Sequence, residues 1–323
     1  MSATREPRSL QAVYYAYVAL SRVAQALPES VIYGLADVIG GVYAHISRKR
    51  RIVAQNLARV SGLAPGSPGL DELVVEAFKS YAVYWVETFR LARAGRDFFL
   101  ERFVCHGAEN IDAVLARGKG GVLVMPHLSN WDAAGAWLGA SGRPVVTVAE
   151  VLNPQRLFDY FVAHRAALGM TVLAVKVGVT AKLLGALEEG GLVGMVGDRD
   201  ITGRGPKVSF FGEPASFPAG PATLAIRTGA PVMVAGVYSA VLPGGRRGWI
   251  AEISEPLEPP SSGPGAVEQL TAEIVARFES YIAKSPQEWH VFQPFWVADR
   301  RPRTPTKRSR DRAARRSRDR LVQ

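Results

Sequence analysis

The chain has 323 residues, is 48% hydrophobic and carries a formal net charge of +10. This size and apolar content allow a large buried core, in one large domain or in a domain with a helical extension. The charge lies in residues 300–320, which hold eleven basic residues against two aspartates, so the remainder is nearly neutral. A nucleic-acid enzyme would spread basic and aromatic residues over its folded surface, so no nucleic-acid partner is expected.

The basic tail, residues 300–323, has almost no apolar content and is predicted to be disordered. Its simplest role is that of a solvated tail. The next is attraction to anionic lipid headgroups, worth roughly 1 kcal/mol for each basic residue near the surface. Binding of RNA ranks third.

Cys105 is the one cysteine of the chain, so an intrachain disulfide is impossible. This agrees with the reducing, cytoplasmic side of a membrane. Residues 1–8 lack the charged, apolar and small-residue order of a cleavable signal peptide, so secretion is not expected. No run of 18 or more apolar residues exists, and we predict peripheral attachment to the cytoplasmic face of the cell membrane rather than a spanning helix.

The first hundred residues contain long apolar segments with helical periodicity and few charges in the first two. Tyr14, Tyr15 and Tyr17 lie near one end of the first segment, a placement suited to the lipid headgroup boundary. Burial of these helices against the rest of the protein explains the pattern equally well. We predict a helical, membrane-facing region over residues 1–100. Its helices are expected over residues 10–27, 31–44, 48–60 and 70–92.

From residue 103 onward, short β-rich runs alternate with helical segments. Such alternation is typical of β-α-β units, which build a largely parallel sheet covered by helices. We therefore predict an α/β core over residues 101–299. Its strands are expected over residues 121–125, 145–149, 171–175, 191–196, 208–211, 231–238 and 249–253, and its helices over residues 131–140, 154–168, 179–189 and 267–283.

An H-x-x-x-x-D box follows the first of these strands, with His127 in the turn and Asp132 in the next helix. On one continuous helix the two side chains would point about 140° apart. If Ser129 or Asn130 caps a helix that begins at Trp131, the Asp132 carboxylate can reach back to the imidazole. A carboxylate-held imidazole can take a proton from a hydroxyl. A structural histidine beside a helix-start aspartate is the competing interpretation.

Charged residues follow three predicted strands at the point where each strand ends. His127, Glu150 and Asp198 occupy these positions. In sheets of this type ligands bind at the carboxyl ends of the strands, so one shared cleft is the economical interpretation. For Glu150 a structural role is preferred, either as a cap of the next helix or as a partner of Arg156.

Six segments in this order resemble the actinobacterial phosphatidylinositol mannoside acyltransferases, within the lysophospholipid and lipid A acyltransferase superfamily. The resemblance covers residues 12–299. The box belongs to the whole superfamily, whereas the other segments point to the mannoside branch. One departure is Asp198, where the family usually has Glu, one methylene longer. The segments are the box, Thr147-Val148-Ala149-Glu150, Asp198-Arg199-Asp200-Ile201-Thr202, the run from Val208 to Pro214, Pro218-Ala219-Gly220-Pro221-Ala222 and Trp289-His290-Val291-Phe292-Gln293-Pro294.

The resemblance implies a glycerolipid acyltransferase-like fold and transfer of a long-chain acyl group, palmitoyl by preference, from acyl-CoA. The implied acceptor is a primary mannose hydroxyl of mannosylated phosphatidylinositol. His127 would be the general base, held by Asp132 and assisted by Asp198, with no acyl-enzyme. Backbone N–H groups at the start of the Trp131 helix would stabilise the oxyanion.

Phosphates of the donor need cationic partners. Arg165 corresponds to an arginine associated with the donor site in the family. Arg199, Arg204 and Lys207 are further candidates, although a solvated surface role is equally acceptable for Arg204 and Lys207. No metal or cofactor is implied, because the remaining histidines lack ligand spacing.

Two alternatives stay open. One is an acyltransferase of the same superfamily that acts on a lysophospholipid or a lipid A precursor and accepts acyl-CoA or acyl carrier protein. The other is a catalytically silent lipid-binding protein, which the intact pair of His127 and Asp132 disfavours.

Overall fold

The computed structural model describes residues 8–91, 93–151 and 153–300. The predicted basic tail beyond residue 300 lies outside these residues. The helices are α1 (Arg8–Ala26), α2 (Glu29–Ile46), α3 (Arg50–Ser61), α4 (Pro68–Leu91), α5 (Arg96–Arg102), α6 (Ala108–Leu115), α7 (Trp131–Ala140), α8 (Gln155–Ala167), α9 (Val179–Glu188), α10 (Gly220–Thr228) and α11 (Ala266–Lys284). The strands are β1 (Phe103–His106), β2 (Gly121–Met125), β3 (Val145–Ala149), β4 (Met170–Ala174), β5 (Leu192–Val196), β6 (Lys207–Phe210), β7 (Glu213–Ser216), β8 (Val232–Leu242) and β9 (Arg246–Ile253).

The central sheet has seven strands in the order β1-β9-β8-β2-β5-β3-β4. Five of them, from β8 to β4, run parallel, and β9 pairs antiparallel with β8 and parallel with β1. Strands β6 and β7 form a separate antiparallel hairpin. The predicted α/β fold with a largely parallel sheet is confirmed.

Each face of the sheet is covered by helices because successive side chains of a strand point to opposite faces. Val122 and Val124 of β2 pack in one core cluster with residues of α9, α10 and α11. Leu123 and Met125 pack in a second cluster with residues of α6 and α7. The result is a three-layer arrangement in which β2 and β5 lie near the centre, so their carboxyl ends are enclosed from both sides.

The N-terminal helices pack around α4, which contacts α1, α2 and α3 as well as α7 and the 3-10 turn Pro286–Glu288. The predicted helix over residues 70–92 therefore connects the N-terminal part to the sheet. The division into regions 1–100 and 101–299 stays a prediction, although β1 does begin at Phe103.

Helix α2 leaves an apolar surface exposed, with Val38 65%, Val42 56% and Ile46 73% accessible. Tyr15, Leu20 and Val23 of α1 are likewise exposed large apolar side chains. Across the part of the chain that the structure describes, no helix is both long enough and apolar enough to cross a membrane.

Candidate active site

The pairing of β2 with β5 brings His127 and Asp198 together. Met125 and Val196 are partners at the carboxyl end of these adjacent parallel strands. Both chains continue for two residues in the same direction, so His127 and Asp198 emerge side by side. Gly197 donates its backbone N–H to Met125 O at 2.9 Å, which extends the pairing to the site. The register of two strands thus places residues that are distant in sequence in contact.

The Asp198 carboxylate holds His127 in two ways. Its Oδ1 accepts a short hydrogen bond from the imidazole Nδ1, and its Oδ2 accepts the backbone N–H of His127 at 3.0 Å. The Trp289 indole Nε1 donates to the same Oδ2 at 2.9 Å. Asp198 is 0% exposed, and burial alone would raise the pKa of its carboxyl. The charge and hydrogen bonds of His127, with the bond from Trp289, outweigh burial and hold this pKa below its usual value.

The turn after His127 is fixed by a distant segment of the chain. His290 donates its backbone N–H to His127 O at 2.8 Å, and Leu128 forms an antiparallel bridge with Trp289. Ser129 has φ 51°, in the left-handed region that side chains other than glycine rarely adopt. Its backbone N–H donates to Glu288 O at 2.9 Å, which supports this conformation. The turn therefore depends on the segment around the Pro286–Glu288 turn.

Asn130 caps helix α7, as expected from the sequence, since its Oδ1 accepts the Ala133 N–H at 3.0 Å. Its Nδ2 donates to Glu87 Oε2 at 2.9 Å, and the Trp249 indole donates to the same oxygen at 3.0 Å. Glu87, on α4, is buried, and burial raises the pKa of its carboxyl to about 7. A buried acid thus orients the residue that starts the helix beside His127.

Asp132 does not hold the imidazole, contrary to the expectation from the box. Its Oδ1 accepts from Arg165 Nε at 2.7 Å, and its Oδ2 lies 3.4 Å from Arg165 Nη2 and from Tyr84 OH. Capping by Asn130 does place Asp132 in the first turn of α7, but its carboxylate bonds to Tyr84 of α4 and Arg165 of α8. The imidazole is held by Asp198 instead, because β5 is the neighbour of β2.

This arrangement can perform general-base chemistry. With Nδ1–H donating to Asp198, Nε2 is the imidazole nitrogen that can accept a proton from a hydroxyl. The carboxylate fixes the ring orientation and stabilises the imidazolium that forms. The Trp131 ring lies 4.9 Å from the imidazole, between centroids, and packs on Tyr84 at 4.3 Å.

Comparison with known proteins agrees with this chemistry. The family model described as bacterial lipid A biosynthesis acyltransferase matches residues 3–297. The chain belongs to this acyltransferase family. Phosphatidylinositol mannoside acyltransferase from Mycobacterium tuberculosis (strain CDC 1551 / Oshkosh) is 35% identical over 303 residues, covering 91% of this chain and 93% of the relative. The protein of the same name from Mycolicibacterium smegmatis (strain ATCC 700084 / mc(2)155) is 35% identical over 298 residues, covering 91% and 95%. The resemblance seen in the sequence is confirmed.

The remaining predicted site residues of this acyltransferase lie on several different elements. Glu150 follows β3, and it is exposed. The helix after it has no side-chain cap, so the expected capping role is not seen. Arg199 donates from Nη2 to Gln293 Oε1 at 3.0 Å. Arg204 is exposed in the loop before β6. Arg165 is the one predicted donor-site cation that forms an ion pair with a carboxylate, Asp132, among the described residues.

His290 adjoins the proposed base, since its backbone N–H donates to His127 O. Its Nε2 lies 3.0 Å from Ser80 Oγ, and burial together with the nearby His127 lowers its pKa to about 3. The imidazole therefore stays neutral and is unsuited to act as the base at neutral pH. The sequence contains one indication of its importance, its position next to Trp289 in a segment that resembles the family.

Two buried carboxylates of the acyltransferase also had no signal in the sequence. Glu87 lies in a helical stretch, and Glu288 accepts the Ser239 backbone N–H at 2.8 Å and the Ser285 hydroxyl at 3.1 Å. Within residues 8–91, 93–151 and 153–300, no group of three or more His, Cys, Asp or Glu side chains is arranged to hold a metal ion.

Proposed function

We propose that this acyltransferase moves a long-chain acyl group, palmitoyl by preference, from acyl-CoA to a primary mannose hydroxyl of a mannosylated phosphatidylinositol. The contact between His127 and Asp198 at the ends of β2 and β5 carries the chemical part of the proposal. The acceptor follows the printed names of relatives that are 35% identical over nearly the whole chain.

The proposed reaction is direct transfer. His127 Nε2 takes the proton of the mannose hydroxyl while its oxygen attacks the thioester carbonyl, and Asp198 stabilises the imidazolium. Collapse of the tetrahedral intermediate breaks the C–S bond, and the CoA sulfur leaves as a thiol with the proton returned from His127. The N–H groups of Ala133 and Ala134 donate to Asn130, so the backbone N–H groups of Trp131 and Asp132 at the start of α7 are the proposed donors to the oxyanion.

An apolar groove supports the proposal that the donor carries a long acyl chain. The groove has a volume of about 470 Å³ and is lined by side chains of α1, α2 and α4. Trp85, in its wall, packs on Tyr84 with ring centroids 5.3 Å apart, and Tyr84 packs on Trp131. Trp131 in turn contacts His127. A continuous row of aromatic rings thus connects the groove to the proposed base.

Arg165, Arg199, Arg204 and Glu150 stay proposed substrate-contacting residues. For Arg165 the proposal now has a second component, since its pairing with Asp132 stiffens the start of α7. Asp132 is proposed to act on the site through this pair rather than through the imidazole.

Peripheral attachment to the cytoplasmic face of the cell membrane is proposed from the exposed apolar surface of α2 and the basic tail. Exposed contiguous apolar side chains on a helix are typical of a membrane or protein contact. Because the apolar groove lies beside this surface, attachment would bring the acyl chain of a membrane-bound donor close to the groove.

A substrate panel tests the proposal. Purified protein in detergent is given palmitoyl-CoA or palmitoyl-acyl carrier protein as donor, and mannosylated phosphatidylinositol or a lysophospholipid as acceptor. Mass spectrometry is expected to find a product heavier by one palmitoyl group only with palmitoyl-CoA and the mannosylated lipid. Transfer to the lysophospholipid instead would favour the other branch of the superfamily, and no transfer with any pair would overturn the assignment.

A further inference from the structure

A second cavity, about 610 Å³ in volume and lined by several charged and polar side chains, begins at the residue that follows Asp198. Its wall includes Arg199, which directly follows Asp198 in the chain, and Gln293, three residues after His290. The loop after β5, the β6–β7 hairpin and the segment up to Arg300 complete the wall. The cavity is therefore built from the same motif segments as the catalytic site but lies apart from the apolar groove.

The charges in this cavity are unbalanced. Arg199, Lys207 and Arg300 line it, and Arg300 is placed by a hydrogen bond from its Nε to Phe295 O at 3.1 Å. Asp200 is the acidic residue of the lining. Three cations against one carboxylate leave a surplus of two positive charges, which favours an anionic occupant.

Among the described residues Asp200 forms no ion pair with these cations, because its oxygens accept hydrogen bonds from other groups. They accept hydrogen bonds from Thr202 N and Oγ1, Gly203 N, Gly205 N and Ser216 Oγ, at 2.6 to 3.0 Å. Burial would raise the pKa of Asp200, but these bonds dominate and lower the pKa to about 2. The carboxylate therefore fixes the conformation of the loop, and the cationic side chains can interact with an occupant of the cavity.

Arg199 carries an unmet hydrogen-bond donor. Its Nη2 is paired with Gln293, whereas its Nε is buried and has no partner among the described residues. A buried unpaired donor on a guanidinium is costly unless a ligand or ordered water completes it. Phosphate oxygens are among the acceptors that guanidinium groups bind most effectively.

We propose that this cavity binds a phosphate ester of a substrate through Arg199, Lys207 and Arg300, an inference that rests on the proposed function. Both proposed substrates carry the required chemistry. CoA has a 3′-phosphate and a pyrophosphate, and phosphatidylinositol has a phosphodiester. The cavity volume fits a phosphate with part of the group attached to it.

Direct binding tests the inference without turnover. Full-length protein is titrated in a calorimeter with CoA and, separately, with glycerophosphoinositol, a soluble phosphodiester headgroup. One of the two ligands is expected to bind the wild type and to lose roughly tenfold to a hundredfold in affinity in Arg199→Gln, since a charge-assisted hydrogen bond is removed. Lys207→Gln and Arg300→Gln, on exposed or half-buried side chains, keep the test valid if Arg199→Gln fails to fold.

Arg227→Gln is the matched control, because this arginine is exposed on α10, outside the cavity lining, and the net charge changes equally. Loss of CoA binding assigns the cavity to the donor, and loss of glycerophosphoinositol binding assigns it to the acceptor. The inference is overturned if neither ligand binds the wild type, or if Arg227→Gln weakens binding as much as the cavity variants. Binding in the cavity without acyl transfer in any assay would overturn the proposed function alone.

Discussion

The turn that carries His127 and the exposed surface of α2 differ in composition and in the contacts that stabilise them. The turn from Pro126 to Trp131 is buried or half-buried, and partners from α4, β5 and the segment near Glu288 supply its hydrogen bonds. The α2 surface is apolar and open to solvent, and nothing in the described chain covers it. The first region is specified by long-range contacts, the second by helical periodicity alone. Substitutions in the turn should therefore affect chemistry or stability, and substitutions on the α2 surface should affect association only.

After removal of His127 itself, the largest effect is expected from Asp198→Ala. Removing the carboxylate frees the imidazole ring and leaves the Trp289 indole without its acceptor, so kcat should fall by roughly 10²- to 10⁴-fold. Steady-state assay in detergent measures this, with circular dichroism to verify folding. A folded Asp198→Ala protein within threefold of wild-type kcat would remove Asp198 from the mechanism.

The next largest effect, on the stability of the protein, is expected from the ion pair between Asp132 and Arg165. Asp132→Asn leaves the half-buried Arg165 guanidinium without its carboxylate, which should lower the free energy of unfolding by roughly 1 to 3 kcal/mol. Denaturant unfolding of Asp132→Asn, Arg165→Met and the double variant measures the coupling. The double variant should recover a part of the loss. Simple addition of the two single effects would show that the pair contributes no coupling.

Glu87 gives the buried turn a dependence on pH. Its pKa is raised to about 7 in the folded protein, so the folded state binds this proton more tightly than the unfolded chain. The resulting stability is fully present below the usual pKa of about 4.3 and is lost as the pH rises through about 7. Glu87→Gln should lack this loss. Melting temperatures between pH 5 and pH 8 test the prediction, and parallel pH profiles of the two proteins would contradict it.

The smallest effect on turnover is expected on the α2 surface. Val38→Ser, Val42→Ser and Ile46→Ser combined should weaken sedimentation with liposomes by roughly tenfold or more at any salt concentration, because apolar burial is not screened. Turnover on detergent-solubilised substrate should not change. Val241→Ser is the control, since Val241 is 76% exposed but lies on β8. Equal weakening by Val241→Ser, or a loss of turnover in detergent, would contradict the contrast between the regions.

The same contrast explains how much the sequence could predict. The strand at Gly121–Met125 and the helix Trp131–Ala140 were predicted correctly, and the observed cap, Asn130, is one of the two that the sequence offered, since apolar runs and caps are local signals. Strands β1 and β7 and helices α5, α6 and α10 were missed. They are short, and α10 has Pro221 near its start, where proline suits a helix but also resembles a loop.

The partner of the base required information that the local sequence lacks. Asp132 is five residues from His127, whereas Asp198 is 71 residues away and reaches the imidazole only through the register of β2 with β5. Asp198 was identified from the sequence as a strand-end residue, so its position close to His127 could be predicted. That Asp198, rather than Asp132, accepts the hydrogen bond of the imidazole could not. Glu87 offered no signal, because an acid in an amphipathic helix is ordinarily solvated.

The central claim is that His127 is the general base of acyl transfer from palmitoyl-CoA to a mannosylated phosphatidylinositol. The most direct measurement compares wild type with His127→Ala in detergent, with the acylated lipid quantified by mass spectrometry. We predict that kcat falls by at least about 100-fold while CoA binding by calorimetry and the melting temperature are retained. A folded His127→Ala protein that keeps more than about a tenth of wild-type kcat would contradict the claim.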